Sequence, residues 1–177
     1  MSLKKLFSEL NKLNSIKSFP QSYTILKQYD PSIHDLYNIN KYYYQYKKQI
    51  INKDILNITE NDNYIKMQMF KNNYLDCYLL FWEPGSKSPI HNHSENGCYL
   101  KVLNGNLNEL IYSNNNLNKL ICNKKNVINN NEIGYIHNNV GYHSIMNPNN
   151  YMVTSIHIYS PPNFITKIFS ENIKKID

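Results

Sequence analysis

Two hydrophobic periods divide the chain. After Ser2, a residue type that caps helix N-termini, Leu3, Leu6, Phe7, Leu10 and Leu13 recur three and four positions apart, which predicts a short amphipathic helix. Helical signals continue to about residue 58, punctuated by Pro20 and Pro31. From Tyr64 the period changes to two: Ile65, Met67 and Met69 alternate with Tyr64, Lys66 and Gln68, the pattern of a half-buried strand. Further strands are predicted at 74–83, 97–103, 107–113, 118–123, 133–138, 142–146 and 151–159, separated by Asn-, Gly- and Pro-rich turns. Many short strands with helices gathered at the N-terminus predict a mainly β fold, a small antiparallel β-barrel or jelly roll with closed edges. At 177 residues the chain fits one domain, 1–177, with a mostly helical part at 1–58 and the barrel at 64–170.

Composition narrows the functions this fold can carry. A 41% hydrophobic content excludes a wholly disordered or collagen-like chain, and runs such as Asn114-Asn115-Asn116 read as polar loop tips. The formal charge is +6, yet all 19 basic residues are lysines, scattered singly or in pairs, and none is arginine. Without arginine's planar fork the chain lacks the bidentate contact used for phosphate and guanine, so no nucleic-acid partner is expected. Glu9, Asn11, Lys12 and Asn14 interrupt any signal-peptide core, and no apolar run approaches about 18 residues. No membrane partner is expected, and a reducing, cytoplasmic location follows. Cys77, Cys98 and Cys122 are widely spaced with no C-x-x-C pair, so each is expected to be a free thiol.

The sharpest local signal is Pro89-Ile90-His91-Asn92-His93. Histidines at i and i+2 of a strand project to one face and can share a metal; exposed strand histidines or a satisfied core pair would give the same pattern. The flanking residues resemble the first cupin motif, Gly85-x5-His91-x-His93-x4-[Glu]-x6-Gly105, with Cys98 where the motif carries glutamate. The second cupin half-motif is matched by His143 and Asn147, its glycine displaced to Gly141, which supplies His143 as third ligand; His137 is the alternative six positions earlier. Three neutral imidazoles leave a divalent ion with its full charge, unlike a two-His-one-carboxylate site, so the centre attracts an anionic ligand such as a thiolate. Ligand type alone leaves zinc open beside iron.

From Tyr64 to Pro162 the sequence resembles the cysteine dioxygenases, thiol dioxygenases of the cupin class. The shared motifs are Trp82-x-x-Gly85, Ser88-x-Ile90-His91-x-His93, Cys98-x-Leu100-Lys101-x-Leu103-x-Gly105-Asn106-Leu107, Gly141-x-His143 and Ser155-x-His157-x-Tyr159-Ser160-Pro161-Pro162. The resemblance implies a cupin-type small antiparallel β-barrel with N-terminal helices, Fe(II) held by His91, His93 and His143, a small thiol and dioxygen as reactants, and a monomer. Ser155, His157 and Tyr159 alternate along one strand face, where they form either a relay or a polar outer face; the resemblance favours the relay, with Tyr159 as the phenol at the iron. Cys98 is a small core residue or, by resemblance, the partner of Tyr159 in a thioether. The resemblance also implies a cis Ser160–Pro161 bond.

The chain departs from the family where the substrate carboxylate is held, because the arginine of a Tyr-x-Arg strand is missing. Tyr64-x-Lys66 falls on that position, beside Trp82, and lysine can give one charged hydrogen bond there but not two in a plane. A shifted alignment places Gln68 there instead, as in mercaptopropionate dioxygenases, and a solvated edge lysine is the third alternative. The expected reaction is oxidation of L-cysteine to cysteine sulfinate, with 3-mercaptopropionate as rival substrate and a non-catalytic metal-binding cupin as rival function.

Overall fold

The computed structural model describes residues 1–52, 64–114 and 120–170. The expected helical residues 53–58, the loop tip at 115–116, the first two positions of the 118–123 strand and residues 171–177 lie outside the described residues.

The N-terminal pattern forms α1 (Leu3–Asn11), α2 (Gln21–Gln28) and α3 (Ile33–Asn52). Ser2 caps α1, its side chain accepting from the Lys5 N–H at 3.3 Å, and Leu3, Leu6 and Leu10 are buried along one stripe. At the head of α3 the Asp35 N–H donates to Ser32 Oγ (3.0 Å) while the Ser32 N–H donates to Asp35 Oδ2 (3.3 Å), a capping box. The other Asp35 oxygen accepts from the Leu3 N–H at 3.1 Å and so ties α1 to α3.

The period-two region folds into β1 (Tyr64–Lys71), β2 (Asp76–Trp82), β3 (Ile90–His91), β4 (Cys98–Val102), β5 (Asn106–Asn114), β6 (Leu120–Asn129), β7 (Ile133–Ile136), β8 (Tyr142–Met146), β9 (Val153–Tyr159) and β10 (Ile168–Phe169). These pair antiparallel in two five-stranded sheets, ordered β1-β2-β9-β4-β7 and β10-β3-β8-β5-β6. On β2, Cys77, Leu79 and Phe81 turn outward into one core with the helices, whereas Leu80 and Trp82 turn inward to a second core with Leu100, Leu107, Ile145 and Val153. On β9, Ile156 and Ile158 join the helical core and leave Ser155, His157 and Tyr159 on the inner face. The helices therefore bury a sheet face that would otherwise meet water.

Several strand boundaries differ from expectation by one or two residues, the 133–138 and 151–159 strands being Ile133–Ile136 and Val153–Tyr159, and three further differences have a local reason. The 74–83 strand begins at Asp76 because Asn72 Oδ1 accepts from the Tyr74 and Leu75 N–H groups (2.8 and 3.0 Å), forming a turn. The 118–123 strand extends to Asn129, its Lys124-Lys125-Asn126 segment being an exposed sheet edge without apolar alternation. The strand carrying the paired histidines ends at His91, leaving His93 beyond it. At Gly141 (φ 144°) a Cβ would lie 2.5 Å from the Tyr112 carbonyl oxygen, so only glycine lets β8 enter beside β5. Ser160–Pro161 is cis.

Phe81 is fully buried, its ring 5.2 Å from that of Tyr43 in α3. Phe81→Ala is expected to lower unfolding free energy by about 3–5 kcal/mol in urea titration; a loss below about 1 kcal/mol would mean that helices and sheet do not share this core.

Candidate metal centre and active-site cavity

The three histidines come together by two different routes. His91 and His143 are directly paired across β3 and β8, which sets their rings 4.7 Å apart. His93 does not reach them by strand alternation. Asn138 holds its backbone instead, Oδ1 accepting from the His93 N–H and Nδ2 donating to the His93 carbonyl oxygen, both at 2.8 Å. Its ring then lies 5.2 Å from that of His91 and 4.3 Å from that of His143. One ring nitrogen from each of the three lies within 4.8 Å of the others. His137 is outside this group; its Nδ1 accepts from the Asn139 N–H at 3.1 Å.

The surroundings suit a metal. His91 Nδ1 lies 2.8 Å from the Pro89 carbonyl oxygen and His143 Nδ1 lies 2.8 Å from Glu109 Oε1, so in each case Nε2 is the nitrogen left for an ion. Asn126 Nδ2 donates to the second Glu109 oxygen at 2.8 Å and fixes the carboxylate. Both ring nitrogens of His93 are buried without a hydrogen-bond partner, a costly arrangement that metal coordination would relieve at one of the two. Burial also pushes the pKa of His93 and of His143 down, which keeps the lone pairs a metal needs.

His91 and His143 face a cavity of about 240 Å³ whose opposite wall is Tyr64, Lys66 and Trp82, with His157 and Tyr159 between. This is smaller than the ~300–1,000 Å³ of pockets for drug-sized ligands, so it fits a molecule of few heavy atoms. Tyr64 stacks on Trp82 at 4.6 Å. Lys66 is an exposed residue of the edge strand β1, yet its Nζ folds inward to lie 4.0 Å from the Tyr78 ring centre and 4.7 Å from that of Tyr159, and desolvation of that ammonium by its surroundings lowers its pKa. Gln68 does not line the cavity: its amide donates to Asp76 Oδ1 (3.1 Å) and the Tyr78 hydroxyl (3.2 Å).

Hydrogen-bond chemistry orders the polar row on β9. The Trp82 indole, a donor only, gives its N–H to Ser155 Oγ at 2.8 Å, and Ser155 Oγ lies 2.9 Å from His157 Nε2. Fully buried Ser155 needs an acceptor for its own hydroxyl proton, so Ser155 Oγ–H donates to an unprotonated His157 Nε2 and the single ring proton of the neutral imidazole sits on Nδ1. His157 Nδ1 lies 3.4 Å from the Tyr159 oxygen and 3.8 Å from Cys98 Sγ, so the imidazole N–H turns to this pair, and the Tyr159 hydroxyl is itself in hydrogen-bond contact with the Cys98 thiol. Burial holds the Tyr159 pKa well above the ordinary phenol value and that of His157 well below the ordinary imidazole value. Cys98 is the direct cross-strand partner of Tyr159, and burial pushes its thiol up to about 12.

Sequence reasoning missed Glu109, Asn138 and Tyr78. Glu109 had a legible signal, since it alternates with Leu107 and Ile111 as the acidic member of a buried face. Asn138 acts through the backbone from a turn, and Tyr78 reads as one more residue of an apolar strand. Ile168, from a two-residue strand, and Thr166, just before it, close the cavity with no pattern to read.

A profile of the family described as cysteine dioxygenase type I matches residues 12–172. Among curated proteins, cysteine dioxygenase type 1 from Bos taurus and from Homo sapiens are each 32% identical over 94 residues, covering 51% of this chain and 47% of the relative. The match thus spans about half the length of these relatives. Among solved structures, oxalate oxidase in complex with the substrate analogue glycolate has a TM-score of 0.51 at 18% identity, covering 63% of this chain and 57% of that one. A Klebsiella pneumoniae protein with a double-stranded β-helix domain has a TM-score of 0.51 at 12% identity, covering 65% and 85%. Identities this low show the fold alone, the cupin-type β-barrel.

Two outcomes are expected. Glu109→Ala weakens metal affinity roughly 10–100-fold in a chelator competition titration while Glu109→Gln loses less; equal affinity in all three proteins would remove Glu109 from the centre. In the metal-free protein, the folded-state pKa of His93 and of His157 is depressed, so below about pH 6.5 the unfolded chain binds the extra protons. Stability should then fall with pH, on the order of 1 kcal/mol per unit for each histidine, in urea melts across that range; a flat profile would contradict their burial as neutral imidazoles.

Proposed function

We propose that this chain, which belongs to the cysteine dioxygenase type I family, adds both atoms of dioxygen to the sulfur of a small thiol, with L-cysteine to cysteine sulfinate as the leading case. The observation that carries this reading is a three-imidazole cluster, with no carboxylate ligand among the described residues, two of whose rings, His91 and His143, line a small cavity that has an ammonium on its far wall. Held by His91, His93 and His143, ferrous iron would supply the redox chemistry between dioxygen and an anionic sulfur that its uncompensated charge attracts.

The chain's own residues do the rest. Lys66 gives one charged hydrogen bond to the substrate carboxylate and so fixes the end of the molecule remote from sulfur. Tyr159 donates its phenol proton toward the reacting centre, and Ser155 and His157 hold that hydroxyl in orientation. The stacked pair Tyr64 and Trp82, with Leu80 and Ile145, keeps bulk water away from the cavity. A thioether between Cys98 and Tyr159 would stop the phenol ring from turning. The reaction adds dioxygen to the thiol without an external reductant, so the sulfur itself supplies the electrons. The engagement of Gln68 with Asp76 and Tyr78 favours cysteine over a glutamine-held mercaptopropionate. The buried free thiols Cys77 and Cys98 suit a reducing, cytoplasmic setting. Among the described residues no helix is long and apolar enough to cross a membrane.

Protein loaded anaerobically with Fe(II) is expected to consume oxygen when L-cysteine is added and far less with cysteamine, which lacks the carboxylate. His143→Ala should abolish iron retention, whereas Cys98→Ser should keep reduced activity. Stoichiometric zinc after iron-replete purification, with no thiol-dependent oxygen uptake after Fe(II) loading, would overturn the proposal.

A further inference from the structure

Lys66 faces a physical problem that an arginine would not. Its four-carbon stem is flexible and its ammonium binds at a single point, so something other than its own geometry must hold the charge at the cavity wall. The described ion pairs do not include Lys66. Asp76, the acidic group whose charge acts on it, is engaged elsewhere: Oδ1 accepts from the Gln68 amide (3.1 Å) and Oδ2 from the Asn163 N–H (2.8 Å).

Two aromatic faces take the place of a resident anion. The Tyr78 and Tyr159 rings stand nearly perpendicular, 5.9 Å apart at 77°, and the ammonium lies over both, closer to Tyr78. Ring faces attract a cation through their quadrupole without neutralising it, so the charge stays available to a ligand. The sheet register explains the placement. Tyr78 is paired with Gln68 on β1 and with His157 on β9, which puts its ring on the inner face one diagonal from Lys66. Its hydroxyl accepts from the Gln68 amide at 3.2 Å, so the ring is braced from outside the cavity. The titratable groups around the ammonium are Asp76 and Tyr78 on β2, Cys98 on β4, and His157 and Tyr159 on β9.

We infer that Tyr78 is the positioning residue of an anion clamp: the face of its ring holds the Lys66 ammonium at the cavity wall, and the pocket thereby selects thiols that carry a carboxylate. The substrate half of this statement rests on the thiol dioxygenase reading; the structural half does not.

The test uses the full chain in two forms. In metal-free protein with carbon-13-labelled lysine, the Lys66 ε-methylene protons should resonate upfield from ring current, identified by their loss in Lys66→Gln. Tyr78→Phe should keep that shift and Tyr78→Leu should lose it. Propionate, a carboxylate without a thiol, should move this resonance in wild type and in Tyr78→Phe, and Tyr78→Leu should need roughly tenfold more. In Fe(II)-loaded enzyme, Tyr78→Leu should raise KM for L-cysteine by about tenfold with kcat changed less than about twofold. An unchanged Lys66 shift and propionate affinity in Tyr78→Leu would overturn the inference, as would a Tyr78→Phe protein as impaired as Tyr78→Leu. Wild-type protein that binds propionate through Lys66 yet consumes no oxygen with any thiol would overturn the dioxygenase reading and support the clamp.

Discussion

Strand β9 buries both of its faces, and it can do so only because side chains alternate across a sheet. Ile156 and Ile158 are covered by the helices, which leaves the inner positions to Ser155, His157 and Tyr159. A buried hydroxyl, imidazole and phenol are tolerable only if each finds a partner. The Trp82 indole starts that chain of donors, and it ends at the Tyr159 hydroxyl on the cavity wall, beside Cys98. Helical cover, strand alternation and donor direction are thus one constraint seen at three scales.

The same constraint sets the charges of the cavity. Burial favours the neutral forms of His93, His143, His157, Cys98 and Tyr159 at neutral pH, each shifted away from ionisation. Lys66 is then the fixed cation of the wall facing the histidines. A substrate with an anionic sulfur at one end and a carboxylate at the other matches that separation of demands. In a chain without arginine the match depends on holding a lysine still, which the Tyr78 and Tyr159 rings do.

Much of this was legible in the sequence because it follows period and spacing. Alternation from Tyr64 onward gave the barrel, and the spacing of Ser155, His157 and Tyr159 gave their common face. His91 and His143 were legible as motif residues and proved to be direct cross-strand partners. His93 lies in the histidine cluster, but Asn138 rather than strand alternation turns it inward. What stayed hidden depends on contacts between distant segments: Glu109 on His143, Asn138 on His93, and Tyr78 under Lys66. Among these only Glu109 left a mark in the chain, as a carboxylate on an apolar face. The cavity's closure by β10 and the length of β6 were illegible, one being two residues long and the other a polar edge.

The central claim is that the three-histidine cavity delivers both atoms of one dioxygen molecule to a thiol sulfur. Fe(II)-loaded protein turned over with L-cysteine under isotopically heavy dioxygen tests it directly by mass spectrometry of the product. A sulfinate in which both new oxygens carry the heavy isotope is the expected product. A product with one heavy oxygen or none, or disulfide alone, would contradict it.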